Sequence, residues 1–348
     1  MTMASAPSKI ILFGEHAVVY DKLGISCSVD RRIHTNVSHN DNGIEVELPF
    51  GVFNFDKDDI KELYNKFIEL VKQENLQEIK KLNFIDGIKI VLGELIHRLG
   101  DFNASIKIYY KKNMKGLGTS AAIFSSIIMS VANYLENPLT NQDIIDITNL
   151  GETASHGGTP SGIDSNTVIN GGVLHFQKSK GMENIKFSSD FPLVVVNSGE
   201  KASTAKMVNH VRDQREKNPE KINKILDEIH DVSTQALQKI KKLEEMKKET
   251  LQSLGQLMDK NHYLLQQLGI STPEIDKIIS IGKKHGAVGA KLTGGGGGGC
   301  VIMLGRDKEH ASTLVKKLAD DGYDAFAASM GSEGLREEEP FKFVARVK

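Results

Sequence analysis

Short apolar runs bounded by glycine alternate with amphipathic stretches through the first half of the chain. Residues 9–13 and 25–29 are compact apolar runs, while 44–48 and 105–109 alternate apolar with polar residues, so all four read as β-strands. Residues 57–73 and 85–99 instead repeat apolar positions every three to four, as Ile60, Leu63, Phe67 and Leu70 and again Ile88, Val91 and Leu95, which predicts amphipathic helices. A small-residue helix is predicted over 121–135 and a second over 141–155, followed by a strand over 168–176 that runs across Gly171 and Gly172. The polar stretch 177–190, with Gly181, is the expected boundary between a unit at 1–185 and one at 186–348. Beyond it residues 193–196 read as strand, and 218–268 carries Ile222, Ile225, Ile229, Val232, Ala236, Ile240 and Leu243 on a helical period. Strands mixed with helices in both halves predict an α+β architecture, the second half being a helical layer on a small sheet.

Composition narrows the partners. In 348 residues, 44 Lys and Arg stand against 45 Asp and Glu, a net charge of −1, so no bulk charge attracts nucleic acid or an anionic membrane. An anionic partner must be held locally, and a small molecule is the expected one. The two cysteines, Cys27 and Cys300, have no Cys or His beside them at metal-ligand spacing, which excludes a zinc framework and suits buried thiols in a reducing compartment. Only four apolar residues, 10–13, follow the polar amino terminus, too few for a signal peptide, and no run nears the ~20 apolar residues of a membrane span. A cytoplasmic protein is expected.

Four segments carry candidate chemistry. Lys115-Gly116-Leu117-Gly118-Thr119-Ser120-Ala121 lies between a strand and a helix, where glycines expose backbone N–H groups to an anion, or where they simply make a turn with Ser or Thr as helix cap. No Gly-Lys-Ser/Thr ends it, so it is not a Walker loop. Residues 151–165 hold Glu152 at a helix end and Asp164 after a Gly- and Pro-rich loop, which can turn two carboxylates toward one point for metal binding and proton transfer. Alternatively, Asp164 closes an Asx turn. Lys291-Leu292-Thr293 precedes six glycines, Gly294 to Gly299, directly before a β-type run, a placement that favours close backbone approach to a ligand or another loop over a linker. Finally, Lys9 opens a strand that ends in Gly14-Glu15-His16.

In this order the four segments resemble the GHMP small-molecule kinases, the superfamily of galactokinase, homoserine kinase, mevalonate kinase and phosphomevalonate kinase, and within it the archaeal-type mevalonate kinases. The resemblance rests on Gly14-Glu15-His16-Ala17-Val18-Val19-Tyr20, Gly116-Leu117-Gly118-Thr119-Ser120-Ala121-Ala122, Pro160-Ser161-Gly162-Ile163-Asp164 and Lys291-Leu292-Thr293-Gly294, and spans residues 5–330. Residues 196–206, with Thr204 where a strand gives way to a helix, are similar to a substrate-contacting segment of that family. The resemblance implies a two-domain GHMP kinase fold with the active site in the interdomain cleft. It further implies transfer of a phosphoryl group from ATP to the C5 hydroxyl of mevalonate. Asp164 would face that hydroxyl and Lys9 support it; Glu15, His16 and Thr204 would contact mevalonate. Lys115, Gly116, Leu117, Gly118, Thr119, Ser120 and Ala121 would cradle the phosphates, and Ser120 and Glu152 would bind Mg²⁺. Many cytoplasmic enzymes of the family are dimers, which leaves a homodimer open.

The chain departs from the family at three places. Lys112, Met114 and Thr119 replace a Pro, a Gly and a Ser of the phosphate loop, the interval from Glu152 to Asp164 has one residue more than expected, and Gly295 stands where an Ala is common. A phosphomevalonate kinase, or a kinase for another small alcohol, is the alternative within the superfamily, with Lys201 and Lys206 as added cations. A regulator without catalysis is the alternative outside it, and would be expected to lack Lys9 or Asp164.

Overall fold

The computed structural model describes residues 1–111, 116–158, 160–186, 191–201, 203–241 and 248–339. The chain begins with β1 (Thr2–Phe13), β2 (Gly24–Ser38), β3 (Ile44–Leu48) and β4 (Gly51–Phe55), then α1 (Lys57–Lys72), α2 (Leu76–Ile79), α3 (Phe84–Leu99) and β5 (Ala104–Tyr109). Next come α4 (Thr119–Tyr134), α5 (Asn141–His156), α6 (Ile163–Asn170), β6 (Val173–Gln177) and β7 (Gly181–Ile185). The remainder holds β8 (Leu193–Asn197), α7 (Thr204–Lys217), α8 (Pro219–Ile240), α9 (Lys248–Gln267), α10 (Pro273–Lys284), β9 (Gly289–Thr293), β10 (Cys300–Leu304), α11 (Lys308–Asp320), β11 (Asp324–Ala328) and β12 (Arg336–Glu337).

Two sheets result. The larger runs β12-β1-β2-β5-β3-β4, with β6 on β2 and β7 on β6; the smaller runs β11-β8-β10-β9. Among the described residues only the β3–β5 pairing is parallel, and it is bridged by the helical excursion of α1 to α3. Ile10, Leu12 and Val29 of the β1–β2 pair share one apolar core with residues 194–196 of β8 and 301–304 of β10, so the two layers are fused rather than merely adjacent. A second core lies between the larger sheet and α3, α4 and α5, around Phe124, Val91 and Ile147. Both cysteines are buried, and burial pushes their thiols up, Cys300 to about 12.

Several expected boundaries move. The first strand begins at Thr2, because residues 3–8 are buried on both faces and carry no alternation to reveal them. Residues 168–170 close α6 rather than open a strand: Gly171 (φ 69°) and Gly172 (φ 74°) take left-handed conformations that end the helix before β6 starts. The small-residue helix starts at Thr119, two residues before the expected position, and the long helical stretch 218–268 is α8 and α9, two separate helices. The polar stretch 177–190 contains β7, which pairs with β6, so the chain remains in the larger sheet through Ile185 and enters the smaller one at Leu193.

The chain also comes back. After β11, Met330 bridges Val29, Glu333 bridges Gly171, and Arg336 and Glu337 of β12 pair with Ser5 and Ala4 of β1. Arg32 clamps this returning strap, donating to Ser5 Oγ (2.7 Å), Ser5 O (2.8 Å), Glu333 O (2.7 Å) and Gly334 O (2.7 Å). Among the described residues no helix is long and apolar enough to cross a membrane.

Candidate active site

The seam between the two layers opens into a cleft of about 500 Å³, lined from one side by Lys9, Gly116, Gly118, Thr119, Ser120, Glu152 and Asp164 and from the other by Thr204, Arg212 and the glycine run. The first wall is set by backbone geometry. Gly116 (φ 85°) and Gly118 (φ 70°) bring the chain into α4, whose first amides have no side-chain cap. A Cβ on Gly118 would stand 2.6 Å from Lys9 Cγ, so glycine is required for the lysine to lie along the loop. The Lys9 amide donates to Leu117 O at 2.8 Å and fixes that relation. Leu117 and Ala121 are fully buried and do not line the cleft; Lys115 lies outside the described residues.

Lys9 Nζ is 2.9 Å from Asp164 Oδ1, with the lysine 3% and the aspartate 29% exposed. Asp164 stands in the first turn of α6, after Gly162 (φ 84°) has turned the chain, and its neighbour Ile163 is buried beneath it. The Asp164 carboxylate is thus presented to the cleft from a rigid helix start, with a cation at its back.

Beside this pair, Glu152 projects from the last turn of α5. Its Oε2 lies 3.2 Å from His156 Nε2, which in turn lies 3.3 Å from Ser120 Oγ. Glu152 Oε1 is buried and has no hydrogen-bond partner. Burial pushes the Glu152 carboxyl up, but His156, Ser120 and Lys9 outweigh it and leave it below the usual value; burial pushes His156 down, and Glu152 outweighs that to leave it raised. The extra residue before Asp164 does not turn Glu152 away. Gly157 (φ 65°) ends α5 in a left-handed cap, and Glu152 and Asp164 line the same cleft.

The second wall hangs from the glycine run. A Cβ on Gly295 would stand 2.8 Å from Thr204 Oγ1 and 2.9 Å from its Cα, so the run packs directly on the start of α7. Thr204 is exposed and faces the cleft. His16, a non-glycine residue in a positive-φ conformation (φ 59°), donates from Nε2 to Gly295 O at 2.8 Å, and burial pushes its ring below the usual histidine range.

Glu15, expected as a substrate contact, does not line the cleft. It is fully buried, and its carboxylate accepts from Lys291 Nζ, a lysine that is itself fully buried. Adjacent residues in a sharp turn point opposite ways, which a linear motif does not reveal.

Arg212 and Asn209 line the cleft and were not anticipated. The signal was present: Thr204, Val208 and Arg212 recur every four residues along α7, so a helix that shows Thr204 to the cleft shows Arg212 as well. Phe50, Phe84 and Tyr110 add an aromatic rim.

Residues 84–172 match the family model described as GHMP kinases N terminal domain, and residues 242–324 match that for GHMP kinases C terminal. The chain is 33% identical over 350 residues to a mevalonate kinase of Pyrococcus abyssi, covering 97% of this chain and 98% of the relative. It is 34% identical over 348 residues to a mevalonate kinase of Pyrococcus horikoshii, again covering 97% and 98%. The solved structure of the Methanococcus jannaschii mevalonate kinase superposes with a TM-score of 0.75 at 27% identity, covering 95% of this chain and 98% of the other.

Proposed function

The chain belongs to the GHMP kinases and, within them, to the family of its mevalonate kinase relatives, and from that premise we propose that it transfers the terminal phosphoryl group of ATP to the C5 hydroxyl of mevalonate, giving 5-phosphomevalonate for isoprenoid precursor synthesis. The observation that carries the reading is the 2.9 Å contact between Lys9 Nζ and Asp164 Oδ1 on the first wall of the cleft. Phosphoryl transfer asks chiefly for positioning and charge stabilisation, and both are supplied there.

Asp164 takes the hydroxyl proton as that oxygen bonds to phosphorus and the bond to the departing ADP breaks. Lys9 orients the carboxylate and faces the charge that gathers on the transferring group. The amides at the start of α4, opened by Gly116 and Gly118, receive phosphate oxygens, while Leu117 and Ala121 anchor the loop in the core.

Glu152 and Ser120 fit a magnesium ion: a buried carboxylate oxygen without a partner and a hydroxyl beside it are the hard oxygen donors that Mg²⁺ takes. Bound there, the ion would neutralise charge on the ATP phosphates. His16 and Thr204 border the alcohol end, and the forked guanidinium of Arg212 suits the mevalonate carboxylate. Lys201 and Lys206 are not among the lining residues, which leaves a phosphorylated substrate with Arg212 as its only cation on the α7 wall among the described residues. A cytoplasmic setting and a domain division at residues 185 and 186 belong to the same reading, which leaves a homodimer open.

The test is ADP release with ATP, Mg²⁺ and a panel of mevalonate, phosphomevalonate, homoserine and galactose. Turnover that depends on mevalonate supports the reading, and a preference for any other acceptor replaces it.

A further inference from the structure

Three contacts stitch β1 and the turn after it to β9 and the glycine run. Ile11 N donates to Thr293 Oγ1 at 2.9 Å, and that hydroxyl donates back to Ile11 O at 2.9 Å. His16 Nε2 donates to Gly295 O at 2.8 Å. Between them, Lys291 Nζ donates to the Glu15 carboxylate and to Leu292 O at 2.7 Å, while Asn261 Nδ2 of α9 reaches Glu15 Oε2 at 3.4 Å. Lys291 and Thr293 lie two residues apart on β9, so their side chains share one side of that strand, and Gly295 follows just beyond its end.

The Lys291–Glu15 contact is energetically odd. Both partners are fully buried, burial pushes the Glu15 carboxyl up and the Lys291 ammonium down, and replacing such a pair by apolar residues is often neutral or stabilising. Stability is therefore a weak reason for it. Position is a better one, since Glu15 is bonded to His16, His16 holds Gly295, and Gly295 abuts Thr204 closely enough that a Cβ would collide with the Thr204 backbone. Gly296 and Gly297 continue the contact against Ile270 and Met207, and the Gly297 amide donates to Ile270 O at 2.8 Å.

We infer that Glu15 and Lys291 are a positioning pair that fixes the register of the glycine run against β1, and so sets where Thr204 and His16 meet the alcohol substrate without touching it. The inference rests on the reading above for the identity of that alcohol, and on geometry alone for the register.

The experiment compares the wild type with Glu15→Gln, Lys291→Met and the double variant, reading KM and kcat for mevalonate, Tm, and hydrogen exchange of the peptide spanning residues 294–299. Each single variant leaves one charged group buried without its partner, so Tm falls, and the double variant recovers much of that fall. KM for mevalonate rises roughly tenfold to a hundredfold in the singles and stays raised in the double, with kcat changed far less and exchange at residues 294–299 faster. A purely structural pair would instead make KM return together with Tm, and that result, or wild-type KM and exchange in the double, overturns the inference. If the singles do not fold, the double decides. If the wild type ignores mevalonate, the substrate reading falls, and the exchange rates of the double still decide the register.

Discussion

The molecule places two acid–lysine pairs near one cleft and buries them to different depths. Lys9 and Asp164 meet at the cleft surface, with Asp164 29% exposed, while Glu15 and Lys291 are both at 0%. A carboxylate that must accept a proton from a substrate has to be reachable, and Asp164 is delivered to the open face by a helix start that follows a left-handed glycine. A pair sealed from solvent reaches no substrate, yet it resists displacement because its partners have no water to turn to. In the reading proposed above, identical functional groups thus divide into chemistry and alignment according to how far each is exposed to the cleft.

The strongest attack on that contrast is Asp164→Asn. It is expected to lower kcat by roughly 10²–10⁴-fold while ATP affinity, read by nucleotide titration, stays near wild type. A near-normal rate would remove the distinction between the pairs. Lys9→Met should follow, with kcat lower by about 10²–10³-fold and a smaller change in mevalonate KM. An effect confined to KM would move Lys9 into the aligning class. Glu152→Gln should raise the Mg²⁺ concentration needed for half-maximal rate by roughly 10–100-fold, measured by metal titration at saturating ATP.

Gly295→Ala probes the aligning side from its far end, because the new methyl would sit 2.9 Å from Thr204 Cα. A few-fold rise in mevalonate KM with kcat nearly kept is expected, and an unchanged KM would show that α7 moves freely with the run. The smallest effect belongs to a third lysine–acid pair, Lys22 with Asp227, which bridges the same two layers but is 32% and 60% exposed. Lys22→Ala should alter stability by only about 0–1 kcal/mol in a denaturant titration, which would confirm that burial rather than bridging makes the difference.

Much of this was legible in the chain. The helices α1, α3 and α5 follow their apolar spacing to within a residue or so, and α3 and α5 begin at capping boxes, Asn83 with Asp86 and Thr140 with Asp143. Lys9, Ser120, Glu152 and Asp164 all line the cleft, and each lies in a motif legible in the sequence, Ser120 and Asp164 in the first turn of a helix that a glycine opens. What escaped was orientation. Glu15 and His16 are neighbours, but Gly14 (φ 93°) and His16 (φ 59°) twist the backbone so that one side chain enters the core and the other the cleft. Arg212 escaped because it lies two helical turns beyond the motif that drew attention to Thr204. Residues 3–8 escaped because a strand covered on both faces loses the alternation by which strands are recognised.

The returning strap has a consequence for the birth of the molecule. Ser5 donates to Glu338 across 333 positions of sequence, and β12 closes the edge of the sheet that β1 opens. In a growing chain β1 can pair with β2 early, yet its outer edge has no neighbour until residues 336–338 have been added. The amino-terminal layer must wait through the whole synthesis of the smaller sheet and its helices, holding an unpaired edge of the kind that invites association between growing chains. Closing so long a loop carries an entropic cost that falls on the docking of residues 336–338.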